Sequence, residues 1–297
     1  MTLCYICPHR CGVDRPENLA GAGTFGSCGC GFQPIVARAG LHMWEEPCIS
    51  GTRGSGTVFF SGCNLHCVFC QNHEISCEGF GKEITIERLH AIYKELIAQG
   101  AHNINLVTPT HFTNAIIESL QDKLSVPVVY NTSGFEAVDT LRKLQGKVQI
   151  YLPDFKYSDN IAAIKYSNAP DYFRIAAAAI KEMYRQTGDY RLDDDGILQS
   201  GVVIRHLILP GNIENSKGVI DWVAENFKQG QILFSLMHQY IPCGDSYKYP
   251  EINRKISKAE YEEVENYLFA SGIEDGFVQE EYAASNEFVP LFDGSGI

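Results

Sequence analysis

The residues with the clearest chemical meaning are Cys63, Cys67 and Cys70, in the run Ser61-Gly62-Cys63-Asn64-Leu65-His66-Cys67-Val68-Phe69-Cys70-Gln71-Asn72. The spacing is C-x3-C-x2-C. Three thiolates on one tight loop can hold three irons of a [4Fe–4S] cube and leave the fourth iron without a protein ligand. An open iron can chelate a small molecule through an amino and a carboxylate group, which a four-cysteine electron carrier cannot do. Zinc is the rival reading, because it takes thiolates with imidazoles, and His66 and His73 lie close in sequence. A second group is Cys4, Cys7 and Cys11, followed by Cys28 and Cys30. The set Cys4, Cys7, Cys11 and Cys28 reads as a closed metal site. Zinc would staple this Gly-rich region, and an auxiliary iron–sulfur cluster would relay electrons; the spacing leaves both open. Cys30, Cys48, Cys77 and Cys243 lack spacing partners and read as free buried thiols.

These groups sit in a chain of 297 residues with 45% hydrophobic residues, enough for a sizeable core and against global disorder. The excess of 36 Asp and Glu over 24 Lys and Arg argues against broad contact with nucleic acid. The N-terminus has no signal-type apolar stretch and no run approaches 18 apolar residues, so the expectation is a soluble, cytoplasmic protein without a membrane partner. In that compartment many cysteines mean metal or catalysis rather than disulfides. Ten of the eleven lie between Cys4 and Cys77, which puts the metal chemistry in the first quarter of the chain.

The elements that must position this chemistry begin after residue 50. Residues 1–50 read as a small, loop-rich, Cys-rich cap. Six short apolar runs follow, at 57–61, 103–108, 126–131, 148–153, 202–209 and 232–237, each short enough for a buried strand. Helical spacing fills the gaps at 85–99, 113–123, 135–144, 171–186 and 216–226, and again at 257–270. Thr85 is a candidate N-cap and Gly100 a candidate C′ residue. Strands alternating with helices imply a parallel sheet of βαβ units. The expected division is a cap at 1–50, a core at 51–245 and a C-terminal helix and strand at 246–297.

Strand ends carry further candidates. Asp154 and Lys156 differ by two positions, so both face one side at the end of the fourth strand. A carboxylate there can accept from ribose hydroxyls and an ammonium can neutralise a carboxylate. Arg205 lies inside an apolar strand, where a charge is costly unless paired, and its fork suits a carboxylate. His206 faces the other way and reads as packed under a helix.

The triad loop, with Phe69 before its last Cys and Asn72 after it, resembles the radical S-adenosylmethionine (radical SAM) superfamily. Together with Trp44-Glu45-Glu46-Pro47, Val107-Thr108-Pro109-Thr110-His111, Asn131-Thr132-Ser133-Gly134, Tyr151-Leu152-Pro153-Asp154-Phe155-Lys156-Tyr157 and Arg205-His206-Leu207-Ile208-Leu209-Pro210-Gly211, it is similar to a less-characterised subgroup related to pyruvate formate-lyase activating enzyme. The resemblance implies an α/β fold, a partial (β/α)6 TIM-like barrel with its site at the C-terminal strand ends. It implies a [4Fe–4S] cluster and S-adenosylmethionine as cofactors, an electron donor such as flavodoxin or ferredoxin, and a 5′-deoxyadenosyl radical that abstracts hydrogen from a substrate. Cofactor contacts fall on Phe69, Asn72, Thr108, Thr110, Asn131, Thr132, Asp154, Lys156, Arg205 and Gln239. Many activases carry Gly-Gly-Glu where this chain has Thr108-Pro109-Thr110, so Thr hydroxyls or carbonyls would take the amino contact. His111 is open between a ligand and a helix-start residue, and Ser133 reads as an N-cap.

The first functional expectation is an activase that installs a glycyl radical on a partner enzyme. The others are a radical enzyme acting on a small molecule or peptide, and a non-enzymatic electron carrier or metal-stabilised binding protein. The missing fourth ligand speaks against the last. An exposed open-iron cluster also predicts oxygen sensitivity and hence an anaerobic setting.

Overall fold

The computed structural model describes residues 3–15, 26–279 and 290–297. In chain order the elements are β1 (Ile35–His42), α1 (Pro47–Ser50), β2 (Ser55–Phe60), α2 (His73–Ser76), β3 (Lys82–Glu83), α3 (Ile86–Ala98), β4 (Ile104–Val107), α4 (Thr113–Ser119), β5 (Val128–Thr132) and α5 (Val138–Arg142). They continue with β6 (Ile150–Pro153), α6 (Asn160–Ser167), α7 (Tyr172–Thr187), β7 (Arg191–Leu192), β8 (Leu198–Leu207), α8 (Ile213–Asn226), β9 (Leu233–Met237), α9 (Lys258–Ala270) and β10 (Gly276–Val278). The sheet runs β10-β9-β8-β6-β5-β4-β2-β1-β3, with β7 paired to β8. From β2 through β4, β5, β6, β8 and β9 to β10 every neighbouring pair is parallel. This is the expected α/β fold, a partial (β/α)6 barrel, and each of the six expected strands is present.

The strands alternate as buried parallel strands must. Leu106, Tyr130, Tyr151, Val202 and Ile204 turn outward into the large core beneath the helices. Val129, Ile150, Leu152, Val203 and Leu233 turn inward. Thr85 caps α3 by accepting from Arg88 N–H at 3.1 Å, and Gly100 follows the helix at φ +95°, as its spacing implied.

Three features differ from expectation. Residues 35–42 form β1, antiparallel to β2, so the stretch read as a loop-rich cap contributes a strand to the main sheet. Its pattern was masked because it carries Arg38 and Gly40 among its apolar residues. Ser133 does not cap a helix; α5 starts only at Val138, with Ala137 in the cap position. Cys77 is exposed, and Cys243 is partly so, whereas Cys30 and Cys48 are buried as expected.

The segment between β1 and β2 enters the barrel from below. Cys48 and Ile49 of α1 pack against Val129, Ile150, Leu152, Val203 and Leu233 and close the N-terminal end. Asn103 holds this plug, donating to Ile49 O at 2.7 Å and accepting from Ser55 Oγ at 2.6 Å. At the far edge the chain's last residues lie along β1. Ala39 N–H donates to Ser295 O at 2.9 Å and Gly294 N–H to Ala37 O at 3.1 Å, while Phe292 meets Phe59 edge-on.

His206 of β8 faces the helices, as expected. Its Nδ1–H donates to Phe155 O at 2.7 Å and its Nε2 accepts from Ser216 Oγ at 2.9 Å. Burial pushes its pKa down from 6.5 to about 4, against a smaller opposing effect of the Phe155 bond. The unfolded chain therefore takes up this proton near pH 6.5, while the folded chain resists it until about 4. Stability from neutral His206 is present above that upper value and is lost as pH falls through the window, by about 3 kcal/mol in all. Urea unfolding at pH 7 and 4.5 should show a smaller acid loss for His206→Gln than for wild type, by about 2 kcal/mol. Equal losses would show that His206 is not the buried neutral group described.

Candidate functional site

The triad loop leaves β2 through Gly62, whose φ of +79° and crowding leave no room for a side chain: a Cβ would lie 2.3 Å from Cys30 Sγ. Cys63, Cys67 and Cys70 are free thiols lining one cavity of about 240 Å³ at the C-terminal ends of the strands. Each sulfur accepts hydrogen bonds from the chain: Cys63 from Leu65 N–H at 3.3 Å, Cys67 from Ser167 Oγ at 2.9 Å and Cys70 from Ser76 Oγ at 3.3 Å. Among the described residues no fourth cysteine lines this cavity. Nor do three or more His, Cys, Asp or Glu side chains converge on a single-ion site. A tetrahedral zinc needs its sulfurs within about 4 Å of one another, whereas the corners of a cube hold them farther apart. His66 and His73, the imidazoles a zinc would recruit, are turned elsewhere. His66 Nε2 bonds Ser27 O at 2.6 Å, His73 Nε2 lies 3.9 Å from Glu78, and neither imidazole lines the cavity. Burial pushes the Cys63 and Cys67 thiols up to about 11 and Cys70 to about 12. Iron bound there would invert this preference and favour the three thiolates. The donor set thus fits a three-thiolate cluster.

Below the triad lies a layer of charge. Arg205 on β8 donates to Asp154 Oδ1 at 2.8 Å, to Glu45 Oε2 at 3.1 Å and to Asn131 Oδ1 at 2.8 Å. Lys156 Nζ bonds Asp154 Oδ2 at 2.5 Å. Glu45 Oε1 accepts from Asn105 and Asn131 at 3.0 and 3.1 Å. Burial opposes ionisation of Asp154, but Arg205 and Lys156 more than offset it and hold the carboxyl below its ordinary range. Glu46, buried and bonded by Ser235 at 2.9 Å, is pushed up to about 6, mainly by burial and in part held back by Arg205.

This layer revises several expected contacts. Arg205 and Asp154 also line the cavity, but both are already engaged with the chain's own charges, so a cofactor contact there would share them with existing ion pairs. Thr110 is buried away from the cavity and gives its hydroxyl to Glu136; Thr132 lines the cavity but donates to the same oxygen. Phe69, Asn72, Thr108, Asn131, Lys156 and Gln239 do line the cavity. Thr108 holds φ +58°, costly for a β-branched residue, and strain of this kind collects at functional positions. Phe69 meets Tyr240 edge-on and gives the wall an apolar patch.

The sequence did not point to Glu45, Glu46 or Glu136 as site residues, nor to Ser76 and Ser167 as partners of the triad sulfurs. Two glutamates before a proline were the available signal for the first two. Nothing local marks a serine 100 residues from its sulfur partner.

The radical SAM superfamily model matches residues 57–223. The chain belongs to the radical SAM superfamily. Its cofactors are accordingly a [4Fe–4S] cluster and S-adenosylmethionine. The uncharacterized protein MJ0674 of Methanocaldococcus jannaschii is 31% identical over 276 residues, covering 89% of this chain and 73% of its own. Among solved structures, HydG, a maturase of the [FeFe]-hydrogenase, matches with a TM-score of 0.51 at 12% identity, over 78% of this chain and 53% of its own. Methylornithine synthase PylB matches with a TM-score of 0.48 at 14% identity, over 73% of this chain and 68% of its own. The chain spans about half the length of HydG, and at these identities the likeness is one of fold.

Arg205 is the buried cation that two carboxylates face. Replacing it by Met leaves Glu45 and Asp154 uncompensated and should cost about 3–5 kcal/mol in urea unfolding. Arg205→Lys keeps the charge but not the fork and should fall between. A loss under about 1 kcal/mol for Arg205→Met would mean the layer is wet and weakly coupled.

Proposed function

We propose that this radical SAM enzyme holds its cluster on Cys63, Cys67 and Cys70 and serves as an activase that installs a glycyl radical on a partner enzyme. The observation that carries the ligand assignment is three sulfurs around one cavity, each held by hydrogen bonds from the chain, at the C-terminal strand ends. The cluster supplies the electron that cleaves S-adenosylmethionine reductively. The chain's own part is to seat that cofactor between the triad and the charged layer. Asn72, Thr108, Asn131, Thr132 and Gln239 offer polar atoms, and Phe69 with Tyr240 excludes water from the reacting atoms. Lys156 places a positive charge near Cys67 and so favours its thiolate.

The activase role is supported by the sequence resemblance and by the acidic balance, which suits a protein partner better than RNA. A flavodoxin or ferredoxin would supply the electron. We place the enzyme in an anaerobic cytoplasm; among the described residues no helix is long and apolar enough to cross a membrane. A small-molecule substrate is the second reading. It is favoured by the cavity's volume of about 240 Å³, whose wall also includes Gln279 and Pro290.

The reading extends to the N-terminal cysteines. Cys4, Cys7, Cys11 and Cys28 line one small cavity, and Cys11 Sγ accepts from Ser27 N–H at 3.3 Å. We assign them a zinc ion or an auxiliary cluster.

Anaerobic reconstitution with iron and sulfide, reduction and addition of S-adenosylmethionine should yield 5′-deoxyadenosine. Cys63→Ala, Cys67→Ala and Cys70→Ala should each abolish it together with the cluster's EPR signal. Retention of both in any one variant would remove that residue from the ligand set. Co-purification with a glycyl-radical enzyme, followed by a glycyl doublet in its EPR spectrum on mixing, supports the activase. Turnover of a metabolite with no such partner in the genome supports the second reading. A Cys4→Ser/Cys7→Ser chain should lose metal beyond the triad cluster; unchanged zinc and iron content would refute the N-terminal assignment.

A further inference from the structure

The cavity that gathers Cys4, Cys7, Cys11 and Cys28 has one more wall residue able to bind metal, His111. It comes from the turn after β4, far from the cysteines in sequence. Its side chain is almost fully buried, at 2% exposure. Nε2 lies 2.8 Å from Ser61 O; a carbonyl only accepts, so Nε2 carries the proton and Nδ1 presents a bare lone pair. Among the described residues that Nδ1 has no hydrogen-bond partner. A buried acceptor left unpaired costs about 1–3 kcal/mol and calls for a physical account. A metal-binding imidazole has this arrangement: one nitrogen donates to a carbonyl, which fixes the tautomer, and the other is free to coordinate.

We propose that His111 is a ligand of the N-terminal metal centre through Nδ1, sharing its coordination with three thiolates drawn from Cys4, Cys7, Cys11 and Cys28. The inference rests on the reading that this set binds metal. Five donors surround the cavity, while a tetrahedral zinc or a four-cornered cluster takes four. With His111 in the shell, one of the four cysteines is dispensable. The side chains stand back from single-ion spacing, so the centre forms by rotation of groups that already share one cavity. The ligand is a thiophilic metal, as zinc or as an iron–sulfur cluster.

The assignment also ties the N-terminal centre to the triad loop. Ser61, the acceptor for His111, stands two residues before Cys63. His9 Nε2 bonds Asn64 O at 2.6 Å, and His66 of the loop bonds Ser27 O. Arg15 donates to the carbonyls of Cys30, Gly31 and His111 and binds the N-terminal segment to the turn that carries the imidazole.

The test uses the full chain with Cys63, Cys67 and Cys70 all changed to Ala, so that only the N-terminal donors remain, with folding checked by circular dichroism. Loaded with zinc, it should show three sulfurs and one nitrogen by X-ray absorption. Loaded with Co(II), it should show a charge-transfer band of three-thiolate intensity. Adding His111→Gln, which fills the space and can still donate toward Ser61, should weaken zinc binding about tenfold or more in chelator competition. Adding His111→Cys should restore it with a four-thiolate band. If iron and sulfide build a cluster instead, its reduced form should show nitrogen hyperfine coupling that His111→Gln removes. A four-sulfur shell, or affinity and spectra unchanged by His111→Gln, overturns the assignment while leaving the four-cysteine centre standing. No zinc, cobalt or cluster in the parent chain overturns both.

Discussion

The partial barrel is built around one largely buried cation. Arg205 stands in the middle of a strand whose other inward residues are apolar, and a lone guanidinium there would cost far more than the fold could recover. It is tolerated because three neighbouring segments bring it partners: Asp154 from the end of β6, Asn131 from β5, and Glu45 from the plug below. The geometry of β5, β6 and β8 is thereby coupled at the height where the cavity floor lies. Asp154 also holds Lys156, so the charge nearest Cys67 is positioned through the same carboxylate.

This constraint explains why the chain folds a four-residue helix into the bottom of its barrel. The apolar residues of α1 fill the N-terminal end, and the two glutamates just before it reach upward into the polar layer. Plug and counter-charge are one device. Packing Cys48 and Ile49 places Glu45 within reach of Arg205, and pairing with Arg205 keeps the plug seated. Substitutions in α1 would therefore be felt at the cavity floor, although α1 contacts neither sulfur nor cofactor seat.

Much of this was legible in the sequence where one physical signal dominated. The six parallel strands were visible because strands buried on both faces read as unbroken apolar runs. The triad was visible because its spacing is local. His206 and Arg205 sit on opposite faces of β8 as alternation required, one under a helix and one inside the barrel. What could not be read was the pairing of distant groups. Arg205 was seen to need a carboxylate, but two candidates lay in the chain itself, one 51 and one 160 residues away. Hence the residues suited to holding a cofactor's charge also pair with one another within the cavity wall. Thr110 failed for a related reason: its hydroxyl is drawn to buried Glu136, whose carboxyl is pushed up to about 7 mainly by burial, with Thr110 and Thr132 limiting the rise.

The position of the N-terminal cysteines follows from the same economy of contacts. A segment this short and Gly-rich has little core of its own and must borrow order from what it touches. It touches the triad loop through His9 and His66, and His111 from the turn after β4 bonds the same loop at Ser61. Ser27 and Gly62 carry the fit further, since Gly62 leaves room only for Cys30 and the Cys28 carbonyl. A cluster loop must keep three sulfurs in place through cycles of reduction and cofactor exchange, and its own sequence is too short to do so unaided. With the proposed metal bound, the N-terminal segment would supply a rigid second wall for that loop, and the loop's carbonyls and imidazole order the segment in return. Each would be weaker alone, and for this reason cysteines remote from the cavity bear on the chemistry inside it.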